Sequence, residues 1–457
     1  MKASLTFLLL LFSLLSTSQS VKDKLSAAVK KMESDSSMKH SIVSFYVINN
    51  KTGKVVYDKN SQIGLPAGST QKVITSVTAF ELLGKDYRYK TSFICWGDIQ
   101  NHKLEGMLSI ESKGDPTLGS WRFSSTSSDT IMKSLKNSLT SFGISEITDG
   151  IAVLNEKEWD AENIPGKWIW EDIGNYYGAA AFNTNWKENQ YELTLKSDSA
   201  LGSFVSIVKT NPDTIIGVKF SCIAKSAEVG SGDKINIYYP SNTNSLTVIR
   251  GTIPRREDHF KVYGAIPYPN KELEFEISNY LIKSGIKLES NNTEIVNLGK
   301  EVMVHKSPTL DSMNYWFLQK SINLYGEAFL KTMAYEKTKV GSTDSGVAVI
   351  KDFWSKRGID KSALNIKDGS GLSPANRITA NALVTVLNYA KTKPWFSSFY
   401  DALPYVNGFK MKSGTIGDVL AYTGYIGDYT FAIIVNNYEG KSSDMRLKML
   451  FLLDNLK

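Results

Sequence analysis

The chain has 457 residues, 42% of them hydrophobic and 22% charged, and a formal net charge of +7. That length supports two or three domains with real cores, and the composition is too apolar for a disordered chain. No Arg/Lys-rich block or basic–aromatic array accompanies the positive balance, which argues against a nucleic-acid partner.

The first residues do not belong to the fold. Lys2, the apolar run Leu8 to Leu15 and the small residues Ser18-Gln19-Ser20 compose a secretory signal peptide (1–20) with cleavage expected near Ser20. No cysteine stands at that site, which argues against a lipoprotein. Removal of Lys2 lowers the charge from +7 to about +6. No later stretch has the length and apolarity of a transmembrane segment, so the mature chain is expected to be soluble outside the cytoplasm, in the periplasm or cell envelope.

A helix is expected over 22–34, then a β-branched strand from Ile42 to Ile48, a turn at Asn50-Lys51-Thr52-Gly53 and a strand from Lys54 to Tyr57. After Leu65-Pro66-Ala67-Gly68 the apolar positions Val73, Val77, Phe80, Leu82 and Leu83 fall at helical spacing, with Gly84 as the stop. Ser69 therefore sits in the first turn, where free N–H groups and the helix dipole favour developing negative charge. Lys72, one turn on, can reach the Ser69 hydroxyl and accept its proton if burial and neighbouring cations depress its pKa. The spacing by itself also fits an ordinary capping serine beside a solvated lysine.

The middle of the chain, 91–289, is rich in short strands such as Ile235 to Tyr239 and Leu246 to Ile249, with loops at Gly230-Ser231-Gly232-Asp233 and Pro240-Ser241-Asn242. It is expected to be an insert of one or two small domains, an inner part at about 91–190 and 267–289 and an outer part at about 191–266. Cys95 and Cys222, the two cysteines, lie in strand-like stretches of this insert. An export compartment permits a bridge between them, but two buried free thiols are the favoured expectation.

Helical sequence returns from Leu310 to about Tyr335 and from Ala380 to Ala390. Ser321-Ile322-Asn323, a hydroxyl and an amide two residues apart, falls near the junction or the middle of the first of these stretches. Lys412-Ser413-Gly414-Thr415 follows in a strand, with Lys412 and Gly414 on one face and Ser413 and Thr415 on the other. Glycine there would let a substrate backbone approach closely. A hairpin across Gly427-Asp428 (Leu420 to Ile426, Tyr429 to Tyr438) and a helix from Ser443 to Leu456 end the chain. The apolar side of that helix is expected to pack on the neighbouring sheet rather than to anchor in a membrane.

The four histidines, His40, His102, His259 and His305, are scattered, with no H-E-x-x-H, no zinc spacing and no G-x-S-x-G elbow. A serine hydrolase on this chain would need a lysine base. Ser69-Thr70-Gln71-Lys72, Ser321-Ile322-Asn323 and Lys412-Ser413-Gly414, in that order, resemble the three motifs of the active-site-serine penicillin-binding proteins, S-x-x-K, S-x-N and K-[TS]-G. The roughly 250 residues between Lys72 and Ser321 resemble specifically the class C low-molecular-mass members, the D-alanyl-D-alanine carboxypeptidase/endopeptidases. Gly114-Asp115-Pro116-Thr117-Leu118, Trp168 to Tyr177 and Asp368-Gly369-Ser370-Gly371-Leu372-Ser373 also look like that group.

The resemblance implies an α/β fold, in detail α+β: a penicillin-binding protein/serine β-lactamase-like catalytic domain from 21–90 and 290–457, with an antiparallel sheet flanked by helices, interrupted by the strand-rich insert. It implies a serine peptidase that cuts D-alanyl bonds of peptidoglycan stem peptides, with β-lactams as covalent inhibitors and no cofactor or metal. Ser69 would be the nucleophile, Lys72 the base, Ser321 a proton relay to the leaving amine, and Asn323 a contact for the substrate backbone. Lys412 would supply positive potential at the terminal carboxylate, which the Ser413 hydroxyl would bind. The N–H groups of Ser69 and Thr415 would form the oxyanion hole, with Gly414 giving close access. Asp172 and Tyr177 match an acidic residue and an aromatic that reach the cleft from the insert. Asp172 would pair with the free amine of a diamino acid, or else serve as a structural aspartate at a domain junction.

Three positions depart from the group's pattern. Gly68 precedes the nucleophile, Ser413 replaces the commoner threonine, and Pro374 stands where several members carry a substrate-binding arginine, for which Arg377 is the nearby substitute. Two other readings remain open on the sequence: a penicillin-binding sensor or envelope scaffold with weak catalysis, and a serine β-lactamase, which the absence of an S-D-N motif and the long insert disfavour.

Overall fold

Alternating apolar residues at the two ends of the chain meet in one antiparallel sheet, in the order Tyr405–Val406, Phe409–Ile416, Val419–Ile426, Tyr429–Asn436, Ile42–Asn49, Val55–Lys59. The computed structural model describes residues 20–154, 159, 163–240, 246–291 and 299–457, and the expected signal peptide lies outside them except for Ser20. Ser20 accepts a hydrogen bond from the Asp23 amide and so caps the first helix, Val21–Glu33.

The central strands of this sheet are buried along their length because helices cover both faces. Leu420, Tyr422, Phe431, Ile433 and Val435 face the helices Val21–Glu33 and Ser442–Leu453. Ala421, Tyr425, Ala432 and Ile434 face the larger core around Lys72–Leu82, Asn323–Thr338 and Ala380–Ala390. The period of two along each strand therefore sorts residues between two cores. The terminal helix buries Met445, Met449, Leu452 and Leu453 in the first of these cores, so its apolar side packs as expected.

A second, mixed sheet runs Lys287–Leu288, Glu146–Ile147, Lys103–Ser112, Lys90–Gln100, Lys300–Lys306, with Ile151–Leu154 beside Lys103–Ser112. Helices Ser128–Ser141 and Pro269–Lys283 close its core. Lys300–Lys306 pairs with Lys90–Gln100, which moves our proposed far boundary of the insert from 289 to after Lys306. Two small sheets, one of Gln190–Lys196, Ser206–Asn211 and Phe260–Ala265 and one built on Thr247–Pro254, share a further core. Cys95 and Cys222 are separate free thiols.

The expected helix from Leu310 to Tyr335 is two helices, Leu310–Gln319 and Asn323–Thr338. Between them Ser321 takes a positive φ of 57°. A left-handed conformation costs a serine about 1–3 kcal/mol and recurs where a site depends on the bend.

Candidate active site

Gly68–Gln71 form a 3-10 turn, and the α-helix Lys72–Leu82 starts directly from it. With three residues per turn, positions three apart eclipse one another, so Ser69 and Lys72 stack on one side. Lys72 Nζ lies 2.9 Å from Ser69 Oγ, 2.6 Å from Asn323 Oδ1 and 2.7 Å from the Ser370 carbonyl. Lys72 is fully buried. Burial first, and the nearby Lys412 second, hold its pKa well below the usual lysine range, while Asp368 and Glu327 pull the other way. A neutral amine has two hydrogens and one lone pair. Donating to Asn323 and Ser370 leaves that lone pair for the Ser69 hydroxyl proton, the arrangement a general base requires.

Asn323 opens its helix and uses both ends of its amide, since Nδ2 donates to the Tyr177 carbonyl at 2.7 Å while Oδ1 accepts from Lys72. It thereby links Lys72 to the segment that carries Asp172 and Tyr177.

The strand Phe409–Ile416 passes very close to the nucleophile turn. A Cβ on Gly414 would lie 2.2 Å from the Ala67 carbonyl and 3.0 Å from Ser69 N, and one on Gly68 would lie 2.8 Å from Thr415 N. Two glycines thus hold the backbone nitrogens of Ser69 and Thr415 side by side. Lys412 is buried and donates to the Ser413 carbonyl at 2.9 Å. Burial lowers its pKa to about 7.

Ser69, Ser321, Asn323, Asp172, Tyr177 and Thr415 all line one cavity of about 400 Å³. Among the described residues no histidine lines it. Asp172 and Tyr177 line the cavity together, and burial, with Glu171 next in effect, pushes the Asp172 carboxyl up to about 6. Their segment is fixed from the outer sheets: the Ile237 amide donates to Asn175 Oδ1, and Asn236 Nδ2 donates to Glu171 Oε1.

Arg377 is not brought to this cavity. Its guanidinium donates to the Pro374 and Asn376 carbonyls of its own loop, at 2.7 and 2.8 Å. Both bonds use Nη1 and tie the guanidinium to its own loop, and Arg377 is not among the residues that line the cavity, where the sequence reading expected it to replace the missing arginine.

The structure adds residues with little sequence signal of their own. Arg122, Tyr176 and Gln190 line the cavity from the insert. Arg122 pairs at 2.8 Å with Glu188, a fully buried carboxylate that also accepts from Ser120 and Tyr325. Asp368 accepts from the Gly371 and Ser373 amides and from Gln71, Trp168 and Asn376. It holds in place the loop whose Ser370 carbonyl meets Lys72. Glu327, one helical turn past Asn323, accepts from the Gly369 amide with both oxygens.

The model of the D-Ala-D-Ala carboxypeptidase 3 (S13) family matches residues 25–423. The chain is 23% identical to a D-alanyl-D-alanine carboxypeptidase of Actinomadura sp. (strain R39), over 89% of this chain and 80% of that one. It is 24% identical to the D-alanyl-D-alanine carboxypeptidase DacB of Haemophilus influenzae, over 87% of this chain and 83% of that one. The crystal structure of penicillin binding protein 4 (dacB) from Haemophilus influenzae superposes with a TM-score of 0.76 at 19% identity, covering 94% of this chain and 98% of that one. The last likeness is one of fold, and it agrees with the expected penicillin-binding architecture.

Proposed function

This chain belongs to the D-Ala-D-Ala carboxypeptidase 3 (S13) family, and from that membership and the Ser69–Lys72 geometry we propose how it works as a serine D,D-peptidase on peptidoglycan. Ser69 Oγ attacks the carbonyl of the penultimate D-alanine and passes its proton to Lys72 Nζ. The tetrahedral oxyanion is held by the N–H groups of Ser69 and Thr415. The C–N bond then breaks, and the leaving amine takes a proton through Ser321. Water hydrolyses the Ser69 ester, releasing the shortened peptide and restoring the hydroxyl.

The observation that carries this mechanism is the buried Lys72 amine, 2.9 Å from Ser69 Oγ and shared with Asn323 and Ser370. Lys412 and Ser413 are assigned to the terminal carboxylate, and Asp172 to the amine of the diamino-acid side chain. Carboxypeptidase and endopeptidase activity break the same D-alanyl bond and differ in what leaves, a free D-alanine or a cross-linked strand. A β-lactam carbonyl would enter the same position and leave Ser69 acylated. A related structure carries such a compound: penicillin binding protein 4 from Haemophilus influenzae has been solved in complex with a β-lactam.

We place the mature enzyme in the periplasm or cell envelope, delivered by the leader ending near Ser20. Among the described residues no helix is long and apolar enough to cross a membrane. The test uses the mature protein and its Ser69→Ala variant, each treated with a fluorescent penicillin and then with a muropeptide mixture read by mass spectrometry. Ser69-dependent labelling with loss of D-alanine or of cross-linked dimers is expected. Labelling without cleavage would favour the sensor reading, rapid loss of label the β-lactamase, and absence of label would overturn the site.

A further inference from the structure

A second cavity of about 840 Å³ adjoins the catalytic one and shares Arg122, Tyr176 and Gln190 with it. Its size falls in the range of pockets that hold whole small molecules, about 300–1,000 Å³. Three aromatic rings on its lining stay exposed: Trp121 at 57%, Tyr176 at 49% and Tyr263 at 42%. Tyr176 and Tyr263 meet edge to face, 6.2 Å apart. Exposed rings gathered along a concave wall present flat apolar surface that the fold itself leaves uncovered.

The cations around this cavity are already matched. Arg122 pairs with Glu188 at 2.8 Å, Lys187 with Glu276 at 2.6 Å and Lys261 with Glu192 at 3.0 Å. An anionic ligand would therefore compete with an internal carboxylate at each of them. Tyr191 also borders the cavity, is 2% exposed, and its hydroxyl has no hydrogen-bond partner among the described residues. The lining therefore suits a neutral ligand with a flat apolar face and a rim of hydroxyl and amide groups. A pyranose ring has that form: one face of C–H bonds, with hydroxyls and an acetamide at its edge.

Position selects which sugar. If the scissile bond sits at Ser69 and the diamino residue at Asp172, as proposed above, the rest of the donor stem can leave the first cavity past Tyr176 and Gln190, which line both. The two residues that remain before the sugar span only about 7 Å when extended. Resting on the peptidase reading given above, we propose that the second cavity is a saccharide subsite that holds the amino-sugar end of the donor stem peptide, with Trp121 and Tyr263 as its stacking platform. The enzyme then recognises a stem peptide still attached to its glycan in preference to a free peptide.

The test separates this proposal from the chemistry by measuring binding to the full mature chain carrying Ser69→Ala, which cannot turn over. Two probes are titrated calorimetrically: a stem pentapeptide ending in D-Ala-D-Ala, and the same peptide bearing its N-acetylglucosaminyl-N-acetylmuramyl disaccharide. The disaccharide peptide is expected to bind about tenfold tighter, the scale of one or two good aromatic contacts. Adding Trp121→Ala and Tyr263→Ala should erase that preference and leave the free-peptide affinity unchanged. The single Trp121→Ala variant, at a well exposed position, should narrow the preference even if the double variant folds poorly. Equal affinity for the two probes, or a preference that survives loss of both rings, overturns the subsite. Failure of the peptidase reading would appear elsewhere, as wild-type protein that penicillin does not label.

Discussion

Gly414→Ala isolates the contact between strand and nucleophile turn. Gly414 is outside the positive-φ glycines, so alanine's own backbone conformation is unstrained there and the effect is steric. The new Cβ would sit 2.2 Å from the Ala67 carbonyl, against 3.4 Å or more for an ordinary contact, so the strand must retreat by about 1 Å. That retreat carries Thr415 N away from Ser69 N. A misplacement of about 1 Å costs on the order of a hundredfold in rate, and removing one oxyanion donor costs about 10²–10³. The acylation rate by a fluorescent penicillin, followed by stopped flow, should therefore fall about a hundredfold or more. Overpacking at such a site costs stability of about 1–3 kcal/mol, so the variant should still fold, as circular dichroism would show. Acylation within threefold of wild type would refute the claim that this close approach builds the oxyanion site.

Lys72→Met keeps the stem and removes the amine, and acylation should drop by about 10²–10⁴, the range for a lost general base. Lys72→Arg should not rescue it, because a guanidinium stays protonated; an arginine variant retaining a tenth of the wild-type rate would remove Lys72 from that role. The pH dependence of kcat/KM should rise as Lys72 loses its proton and fall above about 7, where Lys412 loses its charge. A substrate whose terminal carboxylate is replaced by an amide should lack the falling limb, and a limb common to both substrates would contradict the assignment of Lys412. Asp172 is charged only above about 6, so KM for a stem peptide with a free diamino amine should rise below that pH. Acetylating the amine, or Asp172→Asn, should remove this dependence. Arg377→Ala should change KM less than twofold on the same peptides, since its guanidinium is tied to its own loop through Nη1 and does not line the cavity; a tenfold rise would place it in the substrate site.

What the sequence made legible was local. Ser69 and Lys72 are three residues apart on one turn, and Lys412 to Thr415 lie on one strand, so spacing alone carries their geometry. The Ser370 carbonyl is a backbone acceptor and leaves no side-chain signature, although it receives a hydrogen bond from the base at 2.7 Å. Arg122 and Glu188 meet across 66 positions, and each alone reads as a surface charge. A break at Ser321 stays open beside a continuous helix on the sequence because apolar residues continue at helical spacing on both sides, Phe317 and Leu318 before it and Leu324 and Tyr325 after it, all in one core. The pairing of Lys300–Lys306 with Lys90–Gln100 leaves no local signal, because the partner strand lies about two hundred residues earlier. Arg377 shows how a suitable residue near a suitable position can be tied to its own loop and stay off the cavity lining.

A lysine can act as a base here only if it is kept neutral, and the surroundings of Lys72 are arranged to that end. Full burial removes the water that would stabilise an ammonium, and Lys412 adds like charge. The two acids nearby work against this, but neither faces the amine as an unspent counter-ion. Asp368 spreads its charge over hydrogen bonds from Gln71, Trp168, Gly371, Ser373 and Asn376. Burial, with Asp368 adding like charge, raises the Glu327 carboxyl well above the usual carboxylate range, so it leans toward its neutral form. The acids therefore fix the loop that presents the Ser370 carbonyl, and their pull on the Lys72 amine ranks behind burial and Lys412. A single unpaired carboxylate in their place would hold Lys72 protonated and leave Ser69 with no base, which is why a site without histidine needs its acids committed elsewhere.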